Sequence, residues 1–154
     1  MKTITPHLWF DTEAKEAAEY YVSVFPNSKL TQHSVVHDTP GGDADIVSFE
    51  LNGSPFMAIS AGPLFKFSEA VSFIIPCETQ EEIDYFWKKL SSDPKSEQCG
   101  WCKDQFGLSW QVWPVQLGEM LESRDAAAVA RVTKSFLQMK KFDLKALKVA
   151  FKGE

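Results

Sequence analysis

Cys99 and Cys102 stand three apart in EQCGWCKDQFGLSWQVWP, residues 97–114, beside four aromatic residues, a spacing shared by dithiol redox centres. A redox CxxC sits at a helix N-terminus, where the helix dipole lowers the pKa of the first thiol. Here Cys102 leads through KDQFG, a turn, into the strand-like LSWQVWP, so the pattern starts no helix. A zinc ribbon needs two further ligands, and Cys77, at the end of a buried-looking strand, is the only other thiol. Of the three histidines, His33 and His37 share a face of a predicted strand, about 13 Å apart at Cα and too distant for one ion. His7 is the better candidate for a general base, since imidazole titrates near neutrality and can move a proton. No GxSxG elbow supports a serine nucleophile.

Composition bounds what these residues serve. The chain has 154 residues, 44% hydrophobic and 24% charged, which suits one compact domain, residues 1–154. A net charge of −5, with Lys and Arg scattered except near the C-terminus, opposes attraction to nucleic acid or anionic membrane. No apolar run nears the roughly 18 residues that span a bilayer. MKTITPHLWF lacks a signal peptide's basic start and apolar block, and three cysteines make a poor disulfide framework, so a cytoplasmic protein is expected.

Hydropathy patterning supplies the elements. TITPHLWF, residues 3–10, reads as a strand, and DTEAKEAAEYYVSVF as a helix capped by Asp11 or Thr12, with Pro26 and Asn27 ending it. LTQHSVVHD, DIVSFEL and PFMAIS read as three strands joined by PGGD and the hairpin signal NGS. The order restarts after AGPLFKFSE, with AVSFIIPC as a strand and TQEEIDYFWKKLSSD as a helix. A shift of 65 lays AEYYVSVF on IDYFWKKL and sets His7 opposite Ser72, with a two-residue uncertainty in that register. A shift of 54 lays NGSPFMAI on FGLSWQVW and matches Met57 with Gln111. Such duplication predicts an α+β chain of paired βαβββ modules, residues 3–60 and 69–115. A helical extension of two or three helices, residues 116–154, follows, with apolar stripes such as Leu117, Val132 and Leu147 for packing.

ITPHLWFD, EAAEYYVSVFPNS, FELNGSPFMAIS, CGWCKDQFGLSWQVWP and LQMKKFDLKAL together resemble PhnB-type proteins of the vicinal oxygen chelate superfamily, relatives of glyoxalase I and bleomycin-resistance proteins. The resemblance covers nearly the whole chain and implies the paired βαβββ fold in a homodimer. Many members carry a demethylubiquinone methyltransferase-like label. An ordinary adenosylmethionine enzyme would show a glycine-rich turn between strand and helix. The only adjacent glycine pair, in PGGD at 40–43, lies between two predicted strands where a hairpin loop explains it, so methyl transfer is disfavoured.

The resemblance also implies a metal site of His and Glu on the first and last strands of each half, open to two vicinal substrate oxygens. The matching positions are His7, Met57, Ser72 and Gln111, one good ligand and no carboxylate. Glu50, Asp11 and Glu69 could rescue a metal, although Glu50, between Phe49 and Leu51, faces away from any core those two enter. No cofactor is therefore expected, and a divalent metal is disfavoured.

Alternation places Met57, Ile59, Gln111 and Trp113 on one face of their strands, and His7, Trp9, Ser72 and Ile74 on one face of theirs. Facing inward, the eight would line an apolar pocket with three polar contacts, suited to a planar or amphipathic small molecule. The alternative is that they fill ordinary sandwich interior. The first reading is a metal-free small-molecule-binding protein. The second is a lyase, isomerase or dioxygenase using His7 or an unexpected metal set. A third takes the basic MKKFDLKALKVAFK stretch as a partner-binding helix, although such lysines commonly solvate one helix face.

Overall fold

In a computed structural model, residues 4–154 are described; Thr3, which opens the first expected strand, lies outside them. The chain divides into two compact units, one ending at Phe67 and the other running from Ser68.

The first unit is built from β1 (His7–Phe10), α1 (Ala14–Val24), β2 (Lys29–Thr39), β3 (Gly42–Leu51) and β4 (Ser54–Ser60). They form a four-stranded sheet in the order β1-β4-β3-β2, with β1 and β4 parallel and the other pairs antiparallel. Strand alternation sends Leu8, Phe10, Val47, Phe49, Leu51, Phe56 and Ala58 to one buried face. Helix α1 packs there through Ala14, Ala17, Ala18, Tyr21 and Val24; its three alanines permit close approach, and the Tyr21 ring lies 6.3 Å from that of Phe49. Asn52 and Gly53 both take positive φ, 47° and 80°, the conformation a two-residue hairpin with matching twist requires.

The second unit contains β5 (Phe73–Cys77), α2 (Gln80–Leu90), β6 (Trp101–Lys103), β7 (Ser109–Pro114), α3 (Val115–Leu121), α4 (Ala126–Phe136) and α5 (Leu144–Lys152). Its sheet, β5-β7-β6, again joins the opening and closing strands in parallel and carries α2, whose Ile83 and Leu90 are fully buried. The paired α+β plan is present, with the second copy one strand shorter among the described residues. A 3-10 turn, Pro94–Ser96, stands in the place of the missing strand. Pro94 has no N–H to donate to a ladder. The outer edge of β6 is instead satisfied by Ser92, whose N–H donates to the Lys103 carbonyl at 2.8 Å, and by Ser96, whose Oγ accepts from the Lys103 N–H at 3.1 Å.

Candidate functional site

In the first unit the parallel register of β1 and β4 sets His7 beside Met57 and Trp9 beside Ile59, all on the face opposite α1. The antiparallel register continues that face onto β3, with Ser48 beside Met57 and Ile46 beside Ile59. Four of the eight residues singled out from the sequence are thus brought together. Two of them, Trp9 and Ile59, line a cleft of about 520 Å³. Its other walls are Ala44, the β2–β3 hairpin tip at Thr39–Gly41, and the loop Ala61–Leu64. The indole Nε1 of Trp9 donates to the Gly62 carbonyl at 2.8 Å, which fixes the ring, and Phe65 meets it edge-on at 4.9 Å. The cleft is a mostly apolar concavity with a rigid aromatic wall, the kind of surface on which a flat organic molecule stacks. His7 is exposed on the same face, two residues before Trp9 and outside the lining. Sequence reading placed PGGD and AGPLFKFSE in loops but not at the site, because turns carry no periodicity that assigns them to a face.

The other four residues belong to the second unit. Ile74 pairs with Gln111 across β5 and β7, so Ile74, and not Ser72, is the structural counterpart of His7. The expected register was off by two because it was set by side-chain likeness within the helices, which start at a shift of 66 whereas the paired strands stand at a shift of 67. Ser72 still joins the constellation, since its Oγ accepts from Gln111 Nε2 at 2.8 Å. Ile74 stands 59% exposed beside this polar pair. Trp113 pairs with Pro76, and its ring packs edge-on at 5.7 Å against Phe142, so it is taken up by the C-terminal segment.

The donors do not fit a divalent ion. His7 has a thioether and apolar groups as neighbours, and among the described residues no three His, Cys, Asp or Glu side chains converge. Glu50 does face away from the core of Phe49 and Leu51, and that turns it onto the His7 face; two strands over and two residues along, it lies about 12 Å from His7. Its carboxylate is engaged by Lys29 Nζ at 3.3 Å. Glu69 is held by Lys103, whose hydrogen bond keeps its carboxyl below the usual range. His33 and His37 lie on the exposed edge strand β2 and bond Asp45 and Asp43, each at 2.8 Å.

CGWC is an architectural joint. Burial pushes the Cys102 thiol up to about 12, helped by the nearby Asp104 and Glu97 charges, and burial with Glu82 does the same for Cys77. Cys99, at φ 48°, and Gly100, at φ 80°, turn the chain so that their N–H groups donate to the carbonyls of Met139 and Lys140 at 2.8 and 2.7 Å. The KDQFGLSW turn that follows is organised by buried Asp104. One carboxylate oxygen accepts the N–H groups of Phe106 and Leu108, and the other accepts Trp110 Nε1 at 2.8 Å.

This architecture recurs in known proteins at TM-scores of about 0.6. Residues 2–113 match the family model described as 3-demethylubiquinone-9 3-methyltransferase. A PhnB protein from Bacillus cereus, described in the same terms, is 34% identical, covering 73% of this chain and 99% of its own, with a TM-score of 0.61. The Pseudomonas aeruginosa protein PA1353 is 16% identical over 74% of this chain and 98% of its own, with a TM-score of 0.59, a likeness of fold. A glyoxalase/bleomycin resistance protein/dioxygenase from Nocardioides, 14% identical, matches over 74% of this chain and 84% of its own at a TM-score of 0.38. No curated protein matches the chain.

Proposed function

Given that the chain belongs to the PhnB-like, 3-demethylubiquinone-9 3-methyltransferase family, we propose that it is a protein of the vicinal oxygen chelate type that binds a small, flat organic molecule in the first-unit cleft, without a divalent metal, as a cytoplasmic homodimer. The observation that carries this reading is the fixed Trp9 ring forming one wall of a cleft of about 520 Å³ whose other walls are chiefly apolar. A ligand stacked on Trp9 would meet the Thr39 side chain and the loop 61–64 at its rim. The poor donor set beside His7 supports binding without metal, and the free cysteines suit a reducing compartment.

Titration with the fluorescent naphthalene sulfonate ANS tests it. Saturable binding at one site per chain is expected, weakened at least tenfold in Trp9→Ala and in Ile59→Trp, which fills the cleft. Binding unchanged in both variants would refute the site. Native mass spectrometry of protein purified without chelator addresses the metal: one tightly held divalent ion per chain would overturn the metal-free part.

A second reading, an enzyme with His7 as general base, is favoured by one observation. His7 is exposed on the Trp9 face, within reach of a ligand that extends along β1 from the cleft. Turnover of a bound oxygenated compound, abolished in His7→Ala while ANS binding persists, would establish it.

A further inference from the structure

We infer that the free edge of β2 is where a second copy of this chain docks, its own β2 running antiparallel so that the sheet continues across a twofold axis. The inference gives the dimeric reading above a surface and rests on it. An edge strand presents unpaired N–H and C=O groups, and chains that stay apart shorten such strands or place proline or lysine on them. β2 is eleven residues long, exposed at every position from Lys29 to Asp38, and has no proline and no lysine after Lys29. Leu30, Val35 and Val36 stand 42%, 42% and 45% exposed on it. The second unit's corresponding edge, on β6, is covered by Ser92 and Ser96, whereas no strand or turn among the described residues pairs with the outer edge of β2.

The occupant is read from the charges. Along β2 the ionic groups sit at the two ends, Lys29 at one, where it also reaches Glu50 of β3 at 3.3 Å, and Asp38 at the other, and the two histidines between them bond Asp45 and Asp43 of β3. Antiparallel apposition of two copies brings each Lys29 end to the other copy's Asp38 end, so no like charges of the two edge strands are brought together. Between the irregularities at Leu30/Gln32 and Val36/Thr39, residues 32–36 form a regular run that can ladder without distortion. Twofold pairing uses both edges and closes, so it gives a dimer and not a fibre.

Sedimentation at tens of micromolar, with single cysteines placed in turn at positions 32–36 in a Cys99→Ser background, tests the edge. The wild type is expected at twice the 17.4 kDa chain mass. Val35→Lys and Val36→Lys are expected at the monomer mass with unchanged far-UV circular dichroism. Mild oxidation should cross-link two chains at one or two adjacent positions of the scan. A wild-type dimer that both lysine variants leave intact, or that no position of the scan cross-links, would overturn the edge while sparing the dimeric reading. A monomeric wild type would overturn both.

Discussion

Gly100 shows how one residue inside a redox-like motif serves packing. It holds φ 80°, and a Cβ there would fall 2.3 Å from a ring carbon of Phe142 and 2.9 Å from the Val112 carbonyl oxygen. Gly100→Ala therefore combines backbone strain with overpacking and should destabilise the protein by about 3 kcal/mol or more, read as a lowered urea midpoint. The thiols around it make a separate prediction. An unfolded cysteine titrates near about 8.5, while burial holds Cys77 and Cys102 up to about 12. Folding thus favours the protonated thiols, and their stabilisation is whole below about pH 8.5 and lost as the pH climbs toward 12. Two measurements check this. Iodoacetamide at pH 8 should label only Cys99 in the folded protein, as read by peptide mass, and the fall in stability above pH 9 should flatten in Cys77→Ala and Cys102→Ala. That CGWC leads into a turn and a strand and starts no helix was legible, because those are local features. That it seats residues 139–142 was not legible, since nothing in four residues points to a partner forty positions away.

At the scale of elements, the two long helices of the paired modules start by different means. The N-terminus of α2 follows from Thr79 and Glu82: the threonine side chain accepts from the Glu82 N–H at 3.2 Å, and the glutamate reaches back to the Thr79 N–H. For α1 the sequence offers Asp11 or Thr12, but the N-cap is Glu13 with no side-chain bond, and Ser60 Oγ, buried at the end of β4, accepts from the Ala14 N–H at 2.9 Å. A cap borrowed from a strand 46 positions on cannot be seen in a local pattern. Thr79→Ala and Ser60→Ala should each cost about 1 kcal/mol by chemical denaturation. Hydrogen exchange separates the two, since only Ser60→Ala should accelerate the Ala14 amide. The strands were the more legible elements because alternation is local. The match between the two halves, which set Ser72 opposite His7, lay two residues out, within the uncertainty of that register, because only the ladder Ile74–Gln111 fixes it.

On the scale of the whole chain, the matched family model ends before the last three helices. The matching model stops at residue 113, whereas α3, α4 and α5 span Val115–Lys152. Their stripes correctly predicted helices, but apolar spacing names no target. In the second unit they are anchored by Phe142, fully buried against Gly100, Trp113 and Phe136. Gln80 clamps the same segment: its Nε2 donates to the Phe142 carbonyl at 3.1 Å and its Oε1 accepts from the Leu144 N–H at 2.9 Å. Lys141 bonds Asp84 and keeps that carboxyl below its ordinary range, an exposed contact of little energetic weight. The Phe142 ring thus sits among the Gln80 bonds and the bonds from Cys99 and Gly100 to Met139 and Lys140, and Phe142→Ala should cost about 3–5 kcal/mol. Its signature lies in where protection is lost. The Cys99 and Gly100 amides, which donate to Met139 and Lys140, should exchange much faster, while Ala17, bonded within α1 to the Glu13 carbonyl at 2.8 Å, serves as the reference. Equal acceleration at Ala17 would mean that the extension holds up the fold as a whole. Acceleration that leaves Ala17 unchanged would mean that the first unit stands without the extension.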